Sequence, residues 1–231
     1  FFMEDNPTLS QETRQRYERT FQGAFYRRFV LGEWTVAEGL VYDFFEESMV
    51  RPAPAEPADR WVISCDYGTV NPTSMGLWGK WGGVWYRVQE YYYDARAARR
   101  QQTDQEYAQR LRELAGGREI EAVVVDPSAA SFLEVLRRGG WHVRKADNEG
   151  LSGIRQTADA LKQGKIVICP PCTDAIREFA SYCWDLSAGD RDRVRKEFDH
   201  AMDEIRYFVA TVVAPEEGED LFFAGYVERH V

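Results

Sequence analysis

WVISCD, residues 61–66, is a short apolar run closed by an acid. Its length suits a buried strand better than a helix, and it leaves Asp66 at the strand's C-terminal end. Outward from it, SMGLWGKW (74–81) and VWYRVQEYYY (84–93) read as two more strands, with Gly82-Gly83 as the hairpin turn between them. Residues 103–114 read as a helix closed by Gly116-Gly117. AVVVD (122–126) is a second apolar run ended by an acid, of the kind buried on both faces of a parallel sheet. Then follow a helix at 128–138, a strand WHVRKA (141–146), a helix at 154–163, and a strand KIVICP (165–170). A helix at 173–184, a charged turn or small hairpin at 189–195 and a long helix over 198–213 complete the pattern. Three antiparallel strands followed by alternating helices and strands predict an α/β fold, with a mixed central sheet flanked by helices.

Residues 1–50 read differently. A charged segment with an apolar stripe at 10–29 predicts a helix opened near Ser10, followed by the irregular aromatic stretch GEWTVAEGLVYDFF (32–45). RPAPAEP (51–57) holds three prolines in six residues, a stiff extended linker that places a boundary near 51–58. From Glu216 the chain is an acidic tail.

At 231 residues and 44% apolar content, with seven Trp and thirteen Phe, the chain can bury a real core. No run of about 18 apolar residues occurs, so no membrane span or membrane partner is expected. The opening residue is Phe1 and not Met, which predicts either an excised fragment of a longer protein or a processed chain. A formal charge of -9 argues against binding polyanions by bulk attraction. Basic stretches are local: Arg96, Arg99 and Arg100, then Arg144 and Lys145, then Arg191, Arg193, Arg195 and Lys196. Cys169-Pro-Pro-Cys172 has the spacing of half a zinc site, but no second pair matches it. Plain cysteines in a reducing compartment are the simpler reading.

The acids carry the chemistry. Asp126, followed by Pro127 and Ser128, reads equally well as a turn or cap residue. Asp66 is more telling, because a carboxylate beside Cys65 is costly to bury unless paired or bound to metal. Gly68, two residues on, would let the backbone approach a ligand. In DHAMDEIRYF (199–208), His200 and Asp203 are three apart and share a helix face. Phe198, Met202, Ile205 and Phe208 make an apolar stripe beside them, with Tyr207 on the His200 side. A solvated helix face with one ion pair is the bland alternative. Two strand-end aspartates preceding it in order weigh against that.

DNPTLS (5–10), YRRFVLGEWTVAEGLVYDFF (26–45), CDYG (65–68), VVVDPS (123–128), KADNEGLSGIR (145–155) and DHAMDEIRYF follow one another as in a known family. On these motifs the chain resembles the C-terminal nuclease part of the large terminase subunit of tailed bacteriophages over nearly its whole length, most weakly over the last fifteen or so residues. The resemblance implies a ribonuclease-H-like (retroviral-integrase superfamily) fold. It implies residues 1–55 as the linker or tail of a preceding ATPase domain, 56–214 as the nuclease domain and 215–231 as a C-terminal tail. It also implies Mg²⁺ or Mn²⁺, two ions, held by Asp66, Asp126 and Asp203, with His200 near or on the second metal position. Two hard cations can activate water and stabilise the leaving oxygen of a phosphodiester, and Asp66 is the expected bridging ligand.

The implied activity is a metal-dependent DNA endonuclease that cuts concatemeric viral DNA during genome packaging, in the host cell cytoplasm. Its implied partners are double-stranded DNA, the ATPase domain in cis, the portal protein and the small terminase subunit. The family's motor needs a loop G-x-x-x-x-G-K-[ST], and none occurs here, so no motor ATPase activity is expected. Arg191, Arg193, Arg195 and Lys196, the densest basic group, are candidate phosphate contacts, or a solvated turn interleaved with Asp190 and Asp192.

Three rival readings stand beside this one. A resolvase or transposase core shares the fold. An actin or sugar-kinase-like phosphotransferase would use DYGT for phosphates, yet VVVDPS lacks the glycine its second turn needs. A docking module would keep the acids without cutting.

Overall fold

The computed structural model describes residues 39–185 and 193–215. The expected helix at 10–29, most of the 189–195 turn and the acidic tail lie outside the described residues. The chain divides into two compact units: the larger is described over 51–174 and 200–215, the smaller over 39–50, 175–185 and 193–199. The described residues 175–185 and 193–199, read from sequence as part of the 56–214 region, cluster with residues 39–50.

The larger unit is built on a six-stranded sheet. Its strands are β1 (Arg60–Asp66), β2 (Thr73–Trp81), β3 (Val84–Tyr93), β4 (Ala122–Val125), β5 (Val143–Lys145) and β6 (Ile166–Ile168), in the order β5-β4-β1-β2-β3-β6. β2 pairs antiparallel with β1 and β3, while β4 and β5 extend the β1 edge in parallel. This is the mixed sheet of the ribonuclease-H-like fold, with β6 added parallel to β3. Gly82 and Gly83 adopt φ of 54° and 88°, the left-handed pair that a two-residue hairpin requires.

Period-two alternation assigns the faces. Ile63, Cys65, Met75, Leu77, Val123 and Val125 point to one side, where they bury against α1 (Asp104–Ala115) and α2 (Ala130–Arg138) through Tyr107, Leu111, Phe132 and Leu136. Thr103 caps α1 in a reciprocal capping box with Glu106, and Gly116 closes it at φ 58°. The opposite face carries Ser64, Gly76, Trp78 and Trp85. Across it lies α5 (His200–Phe208), continued by a π-helical turn, Val209–Val213. Phe208 stacks on Trp78 at 4.0 Å and meets Trp85 edge-on at 5.2 Å.

Between β5 and β6 runs α3 (Gly150–Lys162), which begins four residues earlier than the sequence pattern indicated. The helix α4 (Thr173–Phe179) is shorter than the expected 173–184. The Ser181 hydroxyl turns back to the Arg177 and Glu178 carbonyls, and Cys183 leaves the helical path to bridge with Leu40 in the smaller unit. There Phe45 stacks on Phe179 at 4.1 Å and Tyr42 on Tyr182 at 5.9 Å. Phe198 departs from the expected stripe: it precedes the helix, is exposed, and has φ 53°.

Candidate active site

Asp66 has the same parity on β1 as Ser64, so both face α5. His200 Nδ1 lies 2.9 Å from Asp66 Oδ2, and the Ser64 hydroxyl donates to Glu204 Oε1. Residues four apart on a helix are separated by about 6 Å, and residues two apart on a strand by about 6.6 Å. The two bonds therefore match in spacing, and they hold α5 antiparallel to β1 in a single register. Asp203, in the turn between them, takes its position from that lock.

Behind the lock is a buried polar network. Arg87, fully buried, donates through Nε (3.0 Å) and Nη2 (2.7 Å) to Glu204 Oε2, and through Nη1 to Glu90 Oε2 at 2.6 Å. Trp78 Nε1 donates to Ser64 Oγ at 2.8 Å, and the Asp174 amide donates to Glu90 Oε1 at 2.6 Å. Burial opposes the charge on Arg87, but Glu204 and Glu90 outweigh it and hold the guanidinium protonated. Burial pushes the Glu90 carboxyl up, against the pull of Arg87. Gly76 makes room for the pair, since a methyl group there would lie 2.5 Å from Glu204 Oε1 and 2.6 Å from Arg87 Nε.

Asp126 stands just beyond β4. It accepts from the Ser128 amide (2.7 Å) at Oδ1 and from Asn148 Nδ2 (3.3 Å) at Oδ2. Burial acts to raise its carboxyl, but these bonds, together with the nearby Ser128 and Tyr207 hydroxyls, prevail and hold it below the usual carboxylate range. The loop holding Asn148 is tied in turn to α5. Arg206 Nη1 donates to the Asn148 and Glu149 carbonyls at 2.9 and 3.2 Å, while Nη2 donates to Asp203 Oδ1 at 3.0 Å. Gly153 leaves space for this arginine, whose Cγ would sit 2.5 Å from an added methyl group. The motif KADNEGLSGIR thus supplies the brace between Asp126 and Asp203.

The Tyr207 hydroxyl reports the convergence. Burial raises its pKa, and so do the negative charges of Asp66, Asp203 and Asp126 together. Three carboxylates from two strand ends and one helix act on a single hydroxyl. Their hard oxygens suit Mg²⁺ or Mn²⁺, which takes few protein ligands and keeps waters. Among the described residues no three His, Cys, Asp or Glu side chains gather tightly enough to enclose an ion.

Asp66, Asp126, Asp203 and His200 all lie in the larger unit and are brought together. Arg193, Arg195 and Lys196 belong to the smaller unit, where Lys196 pairs with Asp199 at 3.1 Å. Arg191 lies outside the described residues. Gly68 serves its own loop: a methyl group there would meet the Asn71 and Pro72 carbonyls at 2.5 and 2.7 Å. Cys169 and Cys172 are buried thiols, and burial pushes Cys169 up to about 11. Sequence reasoning missed Arg87, Glu204, Asn148 and Arg206. An arginine inside the apolar strand VWYRVQEYYY and the acid pair Asp203-Glu204 were the available signals.

No family model matches the chain. It is 22% identical over 222 residues to the large terminase subunit of Escherichia phage T5, covering 90% of this chain and 50% of that protein. It is similar to the large terminase of a thermophilic bacteriophage, solved with ADP: 45% identity, TM-score 0.74, 93% of this chain and 55% of that one. The chain thus spans about half the length of both proteins. The large terminase nuclease of thermophilic phage G20c with bound magnesium superposes with TM-score 0.58 over 76% of this chain and 98% of that one. At 14% identity that likeness is one of fold, and the G20c protein was also solved with cobalt.

Proposed function

We propose that this chain, a relative of the large terminase subunits of tailed bacteriophages with the fold of their nuclease domains, is a metal-dependent DNA endonuclease. The observation that carries the reading is that Asp66 and Asp126 stand at the same end of the adjacent parallel strands β1 and β4, while the helix that carries Asp203 is bonded to Asp66 through His200. Asp66, Asp126 and Asp203 would hold Mg²⁺ or Mn²⁺, two ions in the fuller form of the proposal, with His200 beside the second. The bound metal would supply an activated water and charge stabilisation for the leaving oxygen. His200 orients Asp66, Arg206 orients Asp203, and Asn148 and Ser128 orient Asp126. The chain's own donors thereby hold three like charges close together before any cation arrives.

The same proposal extends to the whole protein. Residues 1–55 would follow a packaging ATPase domain, 56–214 would carry the nuclease and 215–231 a tail. Its substrate would be concatemeric viral DNA in the host cytoplasm, with the portal protein and small terminase subunit as partners. Arg191, Arg193, Arg195 and Lys196 would meet phosphates. The kinase-like alternative loses ground because Gly68 is occupied by its own loop.

Supercoiled plasmid incubated with Mn²⁺, with Mg²⁺ and with chelator tests the reading. Nicking is expected with metal alone and is expected to fall by at least about a thousandfold in Asp66→Ala, with a milder loss in His200→Ala. Cutting that survives chelator or Asp66→Ala overturns it.

A further inference from the structure

β1 and β3 both pair antiparallel with β2, so β3 leaves the sheet at the same end as Asp66. The register puts Asp66, Ser74 and Tyr92 in one row, which sets β3 two strand spacings, about 10 Å, from the carboxylate strand. There the chain knots into a tight turn. Asp94 Oδ1 accepts from the Arg96 and Ala97 amides, both at 3.0 Å, and the Ala98 and Arg100 amides bond back to the Asp94 and Ala95 carbonyls. The turn presents Arg96, Arg99 and Arg100 to solvent, with Arg99 at φ 52°, a conformation rare outside glycine. Arg96 Nη2 also donates to Asn71 Oδ1 at 3.0 Å, which joins the turn to the loop that follows Asp66. Between them is a shallow pocket of about 240 Å³, walled by Val70, Ala95, Arg96, Arg99, Arg100 and Gln101.

A chain of net charge -9 repels a polyanion overall, so contact with one depends on local cations. ARAARR (95–100) has three arginines and no acid. The Asp94 carboxylate is turned onto backbone amides, and Arg100 is engaged by Glu106. Arg96 and Arg99 are thus the guanidiniums best placed for an outside anion. Two exposed alanines between them let a broad partner come close, and Val70, 47% exposed, offers an apolar surface beside the charges. Guanidinium forks with a small apolar wall match a sugar-phosphate backbone.

We infer that the 96–100 turn and Val70 form a DNA-backbone grip, which holds a phosphate neighbouring the one presented to the carboxylates. This rests on the nuclease reading for its location but is tested separately from it.

The test uses the full chain, a labelled 20-base-pair duplex and fluorescence anisotropy in chelator from 25 to 200 mM salt. Arg96→Gln/Arg99→Gln should weaken binding about tenfold at low salt. It should also reduce the slope of log affinity against log salt by about two, as expected for two lost phosphate contacts. Arg96→Lys/Arg99→Lys should keep most of the slope. With Mn²⁺ and plasmid, the glutamine pair should raise KM and leave kcat unchanged. Arg99→Gln alone, which disturbs no turn hydrogen bond, should lower the slope by about one and guards against a folding artefact. A wild-type affinity and slope in the glutamine pair overturns the grip even if the protein cuts plasmid. A lowered slope in a protein that never cuts supports the grip and sinks the nuclease reading instead.

Discussion

The two faces of the central sheet solve different problems with the same strands. Toward α1 and α2 the packing is apolar: Ile63, Cys65, Met75, Leu77 and Val123 against Leu111, Phe132 and Leu136. Toward α5 the sheet buries Arg87, Ser64 and Glu204 completely, and Asp203 and Arg206 nearly so. Apolar packing is forgiving of small shifts, because it is non-directional and scales with area. A buried charge network tolerates no slip, since each member left without its partner costs several kcal/mol. The apolar face supplies stability, and the charged face fixes where Asp203 and His200 stand.

The sharpest way to break this contrast is Arg87→Met. It strands Glu204 in the interior and should cost about 3–5 kcal/mol, measured by urea denaturation. Adding Glu204→Leu should recover much of that stability while nicking stays impaired, because the register lock through Ser64 is gone. Recovery of both would mean that the pair serves stability alone. Leu111→Ala, on the opposite face, should cost about 2–5 kcal/mol yet leave the activity of the folded fraction unchanged. Gly153→Ala must displace Arg206. A loss of about 1–3 kcal/mol is expected, with a higher Mn²⁺ concentration needed for half-maximal nicking. Thr103→Ala removes the α1 capping box for about 1 kcal/mol, with no change in metal dependence.

The smallest effect is in pH. The Asp126 carboxyl is held below its usual range in the folded state, so its contribution is complete above its unfolded value of about 3.9. That contribution is lost as pH falls through the lower, folded value. The urea midpoint should decline below about pH 4, less steeply in Asp126→Asn.

Much of this was legible in the residues. Apolar runs ended by Asp66 and Asp126 marked the strand ends, and the three-residue spacing of His200 and Asp203 marked one side of a helix. Glycine pairs marked the turns. What stayed hidden depends on contacts between distant segments. Nothing near Arg87 says that its partner is Glu204, 117 positions later. Asn148 looks like an ordinary loop residue until Asp126 is placed beside it. Residues 180–184 continue a helical pattern but leave it, and Cys183 there bridges to Leu40. Phe198 fits the apolar stripe by spacing, yet the helix starts after it.

The bond between Asp66 and His200 spans 134 residues of chain, and that between Ser64 and Glu204 spans 140. Closing a loop of that length costs about 4 kcal/mol in chain entropy, and α5, which closes both loops, lies late in the chain. A ribosome releasing this chain therefore produces the strands first and the complete carboxylate set only when residues 200–208 have emerged. Until then the nascent polypeptide carries two of the three candidate aspartates and cannot assemble the proposed site.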